Sequence, residues 1–133
     1  MTLLVQKEVA ERIVVRDGKE SILSLSVKAY GTPKYAMKVH KRFFSPSPKV
    51  DSAIISINEI SGNNFKTKED EERFFKIVKA GFAHKRKVLR KNLEELVGGS
   101  EKIDKIFKEL SIDSKARAED IPFSKWIEIS SVL

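Results

Sequence analysis

Apolar positions in this chain change their spacing near residue 60. Before that point they come in short, closely set runs. After it they recur three and four residues apart, as on amphipathic helices. Residues 1–6 (MTLLVQ) predict a short buried strand that needs neighbours on both faces. Residues 6–15 continue at helical spacing, with Val9 and Ile13 on one side, and Asp17-Gly18 is a turn signal. Residues 22–30 carry Ile22, Leu25, Val27 and Ala29, which fit a helix or a strand, before Gly31-Thr32-Pro33 breaks the chain. Tyr35, Met37 and Val39 alternate with Ala36, Lys38 and His40 and predict a strand over 34–40. In 43–48 (FFSPSP) two prolines one residue apart enforce an extended loop with no regular structure. Residues 50–60, with Ala53, Ile54, Ile55, Ile57 and Ile60, predict a buried strand, and residues 61–64 (SGNN) a linker.

The rest reads as helices only. Thr67 with Asp70 resembles a capping box, ahead of a stripe of Phe74, Phe75, Val78 and Phe82. Val88, Leu89, Leu93, Leu96 and Val97 form a second stripe, stopped by Gly98-Gly99. Ser100 suits the cap of a third helix carrying Ile103, Ile106, Phe107 and Leu110. Pro122 suits the first turn of a last helix with Phe123, Trp126, Ile127 and Ser130. Phe74, Phe82, Phe107, Phe123 and Trp126 are most simply the core of a small bundle, with a base-stacking platform as the alternative. Strands followed by helices suggest two units. The first is too small to be a whole α/β domain, and no strand runs into a Gly-rich phosphate loop.

Composition narrows the function classes. The 133 residues suit one domain, or a small domain plus a piece of another. No cysteine is present, which excludes a disulfide scaffold, a Cys-ligated zinc and a thiol nucleophile. Two histidines, His40 and His84, argue against a His-rich metal centre and read as surface or phosphate-proximal groups. No apolar run reaches the roughly 18 residues of a membrane span, and nothing at Met1 reads as a signal peptide. The expectation is a soluble cytoplasmic protein with no membrane partner.

Charge adds direction. Lys and Arg number 26 against 19 Asp and Glu, a net +7 that favours polyanionic partners. The excess is segregated. Between Glu20 and Asp51 lie Lys28, Lys34, Lys38, Lys41, Arg42 and Lys49 with no acid among them. Between Glu72 and Glu94 lie eight basic residues, including Lys85, Arg86, Lys87, Arg90 and Lys91. Such clusters are often only solvated helix faces. The tight KRK triplet followed by Arg90 and Lys91 points instead to phosphate contact, with positions 86 and 90, and 87 and 91, expected on shared helix faces. Asp51, entering the last strand, reads as a structural hydrogen-bonder.

Four blocks in order carry a resemblance: QKEVAERI at 6–13, FFSPSPKVDSAI at 43–54, FAHKRKVLRKNL at 82–93 and KARAEDIPFSKWIEI at 115–129. Together they resemble the C-terminal half of the small-subunit ribosomal RNA adenine dimethyltransferase family, also called ribosomal RNA methyltransferase A. Mitochondrial transcription-factor B proteins and erythromycin-resistance methylases are its relatives. The second block is similar to the family's F-x-P-x-P-K-V-D-S-A, with Phe44 leading. The third is similar to its F-x-x-R-R-K helix, with Lys85 where arginine is usual.

The resemblance implies an α/β remnant followed by a small all-α helical domain. Residues 1–60 would be the end of a Rossmann-like, class I methyltransferase sheet, and 61–133 a helical RNA-binding domain. The last strand would lie antiparallel between the other two, leaving one sheet edge and one helix-binding surface open. The family methylates two adjacent adenosines of small-subunit ribosomal RNA with S-adenosylmethionine. Its Gly-rich cofactor loop and its N-L-P-Y/F catalytic motif have no counterpart in these residues. The expectation is therefore a chain that holds RNA, binds no cofactor and transfers no methyl group alone. Phe44 is expected to stack on the target adenine, with Phe43 as the competing ring. Lys41, Arg42, Lys49, Lys85, Arg86, Lys87, Arg90 and Lys91 are expected to contact RNA. Ribosomal RNA or the pre-ribosomal small subunit is the implied partner, with self-association or a covering partner chain at the open edge. A non-catalytic ribosome-assembly module and one half of a split methyltransferase are the alternatives.

Overall fold

The computed structural model describes residues 1–16 and 18–133. The expected Asp17-Gly18 turn falls partly on Asp17, which lies outside the described residues. The chain forms two compact units, Met1–Lys19 with Leu23–Asn64, and Glu20–Ile22 with Phe65–Leu133.

The first unit is a three-stranded antiparallel sheet with helices. Its strands are β1 (Thr2–Gln6), β2 (Thr32–Val39) and β3 (Ser52–Asn58), in the order β1-β3-β2. The last strand is central, as the resemblance implies. Helix α1 (Lys7–Ile13) follows β1 directly, and α2 (Ile22–Lys28) resolves the helix-or-strand ambiguity as a helix. Ala53, Ile55 and Ile57 alternate along β3 and are buried. Ile55 faces Leu3 of β1 and Tyr35 of β2, and this row packs with Ala10, Ile13, Val9 and Val27. Burying one such aliphatic side chain stabilises the fold by about 1.5–3 kcal/mol. Asn64 Nδ2 donates to Ala29 O at 2.8 Å and Ser61 N to Tyr30 O at 2.8 Å, which ties down the residues after β3.

Two sequence expectations change in this unit. β1 is buried on one side only: Leu3 and Val5 are half-buried while Leu4 is 54 % exposed. β2 does not keep a period of two. A bulge between Tyr35 and Met37 pairs Tyr35 with Ile55 but Met37 with Ile54, so the two side chains lie on opposite faces. Leu4, Ile54 and Met37 thus form a row on the outer face, with Met37 also exposed. Val50 and Ile60 lie outside β3 and are exposed. Phe43 is not part of an irregular loop but closes a 3₁₀ turn over Lys41–Phe43.

The second unit contains α3 (Lys68–Gly81), α4 (Leu89–Val97), α5 (Ser100–Glu109) and α6 (Phe123–Val132). Thr67 Oγ1 accepts from Asp70 N at 3.1 Å, a cap worth about 1 kcal/mol. Glu69, Asp70 and Glu71 in the first turn and Lys79 in the last suit the helix dipole. Phe74, Ile77, Val78, Leu89, Leu93, Ile103, Phe107, Trp126 and Ile129 are buried. Trp126 Nε1 donates to Ile121 O at 3.0 Å, and its ring stacks on Phe82 at 5.7 Å. Phe123 meets Phe74 edge-on at 5.8 Å. The aromatic stripes are therefore core. Two helix starts differ from expectation. Gly99, at φ 139°, occupies the cap position before α5, so Ser100 is the first helical residue. Pro122 is likewise the extended residue before α6, because the helix begins at Phe123.

Candidate nucleic-acid interface

The block 82–93 is not one helix. α3 ends at Gly81, α4 begins at Leu89, and Lys85, Arg86 and Lys87 occupy the turn between them. The shared helix faces expected for 86 with 90 and 87 with 91 therefore do not exist. Hydrogen bonds from elsewhere in the unit hold the break. Asn92 Nδ2 donates to Gly81 O, at the end of α3, at 2.8 Å and to His84 O, in the turn, at 3.1 Å. Lys87 N donates to His84 O at 3.1 Å, and Leu89 N to Ala116 O at 2.8 Å. The turn pushes its cationic side chains outward: His84, Lys85, Arg86, Lys87 and Lys91 are all exposed.

These cations differ in availability. Lys85, Arg86, Lys87 and Lys91 make no ion pair among the described residues. Arg90 grips Asp104 of α5 with two parallel hydrogen bonds, Nε to Oδ1 and Nη2 to Oδ2, the latter at 3.0 Å. That bond raises the Arg90 guanidinium above its ordinary value and lowers the Asp104 carboxyl. Arg90 thus sits beside the free cations while tying α4 to α5. Asp104 and Asn92 went unnoticed in the sequence. Their partners lie eight to fourteen residues away, and only an Asn placed among basic neighbours hinted at a role.

In the first unit, Asp51 organises the second basic stretch. Its Oδ1 accepts from Lys41 N at 2.9 Å, its Oδ2 lies 3.4 Å from Lys38 Nζ, and His40 Nε2 is 4.0 Å away. The Lys41 backbone bond, more than the Lys38 and His40 charges, holds the Asp51 carboxyl below its usual 3.8. His40 Nδ1 accepts from Arg42 N at 3.1 Å and caps the 3₁₀ turn. Asp51 is thus a structural hydrogen-bonder, and the turn presents Lys41 and Arg42 to solvent. Lys49 is exposed and lines, with His40, Lys41 and Asp51, an open cavity of about 490 Å³ against Gln6 and Lys7. Phe44 is half-buried; Phe43 is 70 % exposed, with the Arg42 guanidinium 5.0 Å from its ring centre.

Among the described residues no group of three or more His, Cys, Asp or Glu could hold a metal, and no helix is long and apolar enough to cross a membrane.

Comparison with known proteins places this geometry. The chain is 43% identical over 131 residues to the ribosomal RNA small subunit methyltransferase A of Fusobacterium nucleatum, covering 98% of this chain and 50% of that protein. It is 35% identical over 139 residues to the same-named protein of a Nostoc species, covering all of this chain and 49% of that one. The chain spans about half the length of the curated relatives it matches. Two solved structures share its fold at 20% identity. A dimethyladenosine transferase from Plasmodium falciparum matches with a TM-score of 0.76, covering 96% of this chain and 54% of that one. The 23S rRNA methyltransferase ErmE matches at 0.73, covering 98% and 52%. The fold is thus that of the carboxyl-terminal region of such methyltransferases: a three-stranded sheet end followed by helices. A sequence model of ribosomal RNA adenine dimethylase matches residues 1–133, and the chain belongs to that family.

Proposed function

We propose that this chain is the RNA-holding portion of a small-subunit ribosomal RNA adenine dimethyltransferase, and that it grips ribosomal RNA without methylating it alone. The observation that carries this reading is the turn between α3 and α4. It displays Lys85, Arg86, Lys87 and Lys91 with no acidic partner among the described residues. Cations already paired gain little from a phosphate, whereas unpaired ones release its counterions on contact. Lys41, Arg42 and Lys49 form a second set of phosphate contacts in the first unit. Arg90 contributes by holding the helix that carries Lys91 and, through its outer edge, as a weaker RNA contact. Phe44 is the ring assigned to the target adenine. Phe43, which is more exposed, is the alternative, and stacking on either would be worth about 1–3 kcal/mol.

The family's methyl donor is S-adenosylmethionine. Dinucleotide and adenosyl cofactors sit where a parallel strand runs through a Gly-rich loop into a helix. In this sheet both strand pairings are antiparallel, and the loop from β3 to α3 holds the single glycine Gly62. These residues do not fit the cofactor.

The test is binding to small-subunit ribosomal RNA over a salt series, with and without Lys85, Arg86 and Lys87 replaced by alanine. Affinity should fall steeply with salt, and the triple variant should lose about two to three units of slope. Binding indifferent to salt would refute the reading. A second reading, one half of a split methyltransferase, is favoured by the free edge of β1 and the outer row of Leu4, Ile54 and Met37. Co-purification with a chain carrying a Gly-rich cofactor loop would support it.

A further inference from the structure

The break between α3 and α4 leaves an open cavity of about 380 Å³, lined by Ala80, Ala83, His84, Lys87, Lys91, Asn92, Glu95 and Leu96. We propose that this cavity receives one unpaired, amine-bearing nucleotide of the bound RNA, with its phosphate on Lys87 and Lys91 and its base on the cavity floor. The volume falls within the range of about 300–1,000 Å³ typical of small-ligand sites. Ala80, Asn92 and Leu96 are half-buried and form the floor; His84, Lys87, Lys91 and Glu95 are exposed and form the rim. The apolar Ala80 and Leu96 in the floor suit the face of a base, and Lys87 and Lys91 on the rim suit its phosphate.

Asn92 adds chemical selectivity. Both its side-chain hydrogen bonds use Nδ2, to Gly81 O and His84 O, which fixes the orientation of the amide. The other end, Oδ1, is buried and has no partner. Buried acceptors are nearly always matched by a donor. The exocyclic amine of adenine, cytosine or guanine supplies one and carries a second N–H for another acceptor; uracil offers only the single N–H of its ring. The Glu95 carboxylate on the rim is a second acceptor for the same group. The free lysines and the orphaned acceptor thus ask for opposite ends of one ligand.

This inference rests on the RNA-holding reading, and the test separates the two. Binding is measured by fluorescence anisotropy to three RNA hairpins of equal length: fully paired, with a single bulged adenosine, and with a single bulged uridine. The bulged adenosine should bind roughly fivefold more tightly than the other two, the factor given by one net hydrogen bond. Leu96→Trp fills the cavity and should abolish that preference. It should leave the affinity for the paired hairpin and its salt slope unchanged. Ala83→Phe, at an exposed position where folding is not at stake, should do the same. Equal binding of all three hairpins, or a preference that survives both variants, overturns the cavity. Loss of salt-dependent binding to the paired hairpin would instead refute the underlying reading.

Discussion

Replacing Gly81 by alanine tests whether the end of α3 is packed as tightly as the structure shows. A Cβ at this position would stand 2.5 Å from Trp126 Cη2, 2.8 Å from Leu89 Cδ1 and 3.1 Å from Trp126 Cζ3. Neither neighbour can move aside cheaply. Trp126 is fully buried, anchored through Nε1 to Ile121 O, and stacked on Phe82; Leu89 is also fully buried. Overpacking of this kind costs about 1–3 kcal/mol. Alanine is the better helix former by up to about 1 kcal/mol in a helix interior, and by less at this last helical position. The clash wins, for a net loss of about 1–2 kcal/mol. In urea melts the midpoint should fall while the slope stays constant. Thermal melts should drop by roughly 4–8 °C, at about 4 °C per kcal/mol for a chain of this size. Because Gly81 O also accepts from Asn92, the shift should reach the cationic turn and weaken RNA binding. A Gly81→Ala variant as stable as the parent, or more so, would show that Trp126 does not lie against α3 as described.

Three further outcomes follow from the same contacts. Lys87→Ala should lower the slope of log affinity against log salt by about 0.7–0.9, whereas Arg90→Ala should lower it by clearly less, because Asp104 already occupies that guanidinium; equal losses would remove the distinction. Asp51→Ala should weaken the first unit at neutral pH. The folded Asp51 carboxyl titrates below 3.8, so its contribution is complete above that value and disappears as pH falls through the lower folded value. The gap between parent and variant urea midpoints should accordingly close in acid, and a gap independent of pH would contradict the assignment. Leu4→Lys, at a 54 % exposed position, should change stability by no more than about 0.5 kcal/mol while reducing self-association in sedimentation; a large destabilisation would mean that this face is covered.

Much of the fold was legible because local chemistry marks it. Thr67 caps α3, and Gly98, at φ 84°, ends α4 where a side chain would be strained. The spacing of Phe74 and Val78 names the buried side of α3 without tertiary knowledge, although the stripe takes in the half-buried Phe75 and passes over the buried Ile77. The turn at 82–88 was not legible. Its residues read on as helix, and the bonds that interrupt it come from Asn92 and Ala116, later in the chain. The bulge in β2 was hidden by a true alternation of apolar and polar residues, which says nothing of how the neighbouring strand is aligned. For the candidate site, charge segregation located the cations. It could not separate the paired Arg90 from the free Lys87, because the deciding carboxylate belongs to another helix. The cavity left no trace in composition, since it is made by a change of direction between two helices.

The bulge in β2 acts as a phase slip of one residue. Upstream of it the strand is in step with the α1 side of the sheet; downstream the same alternation runs inverted. Lys38 is therefore aligned with Ala53, on the side that also carries Asp51. Had the strand kept step, Met37 would have met Ala53, and the lysine would have pointed away from its carboxylate. Deleting Ala36 would take out the extra residue and leave Tyr35 on Ile55, Met37 on Ile54 and Lys38 on Ala53 in an unbroken ladder. The ion pair that steadies the loop bearing Lys41 and Phe44 would survive that deletion, whereas losing a residue from any regular part of the strand would turn the lysine away from its carboxylate.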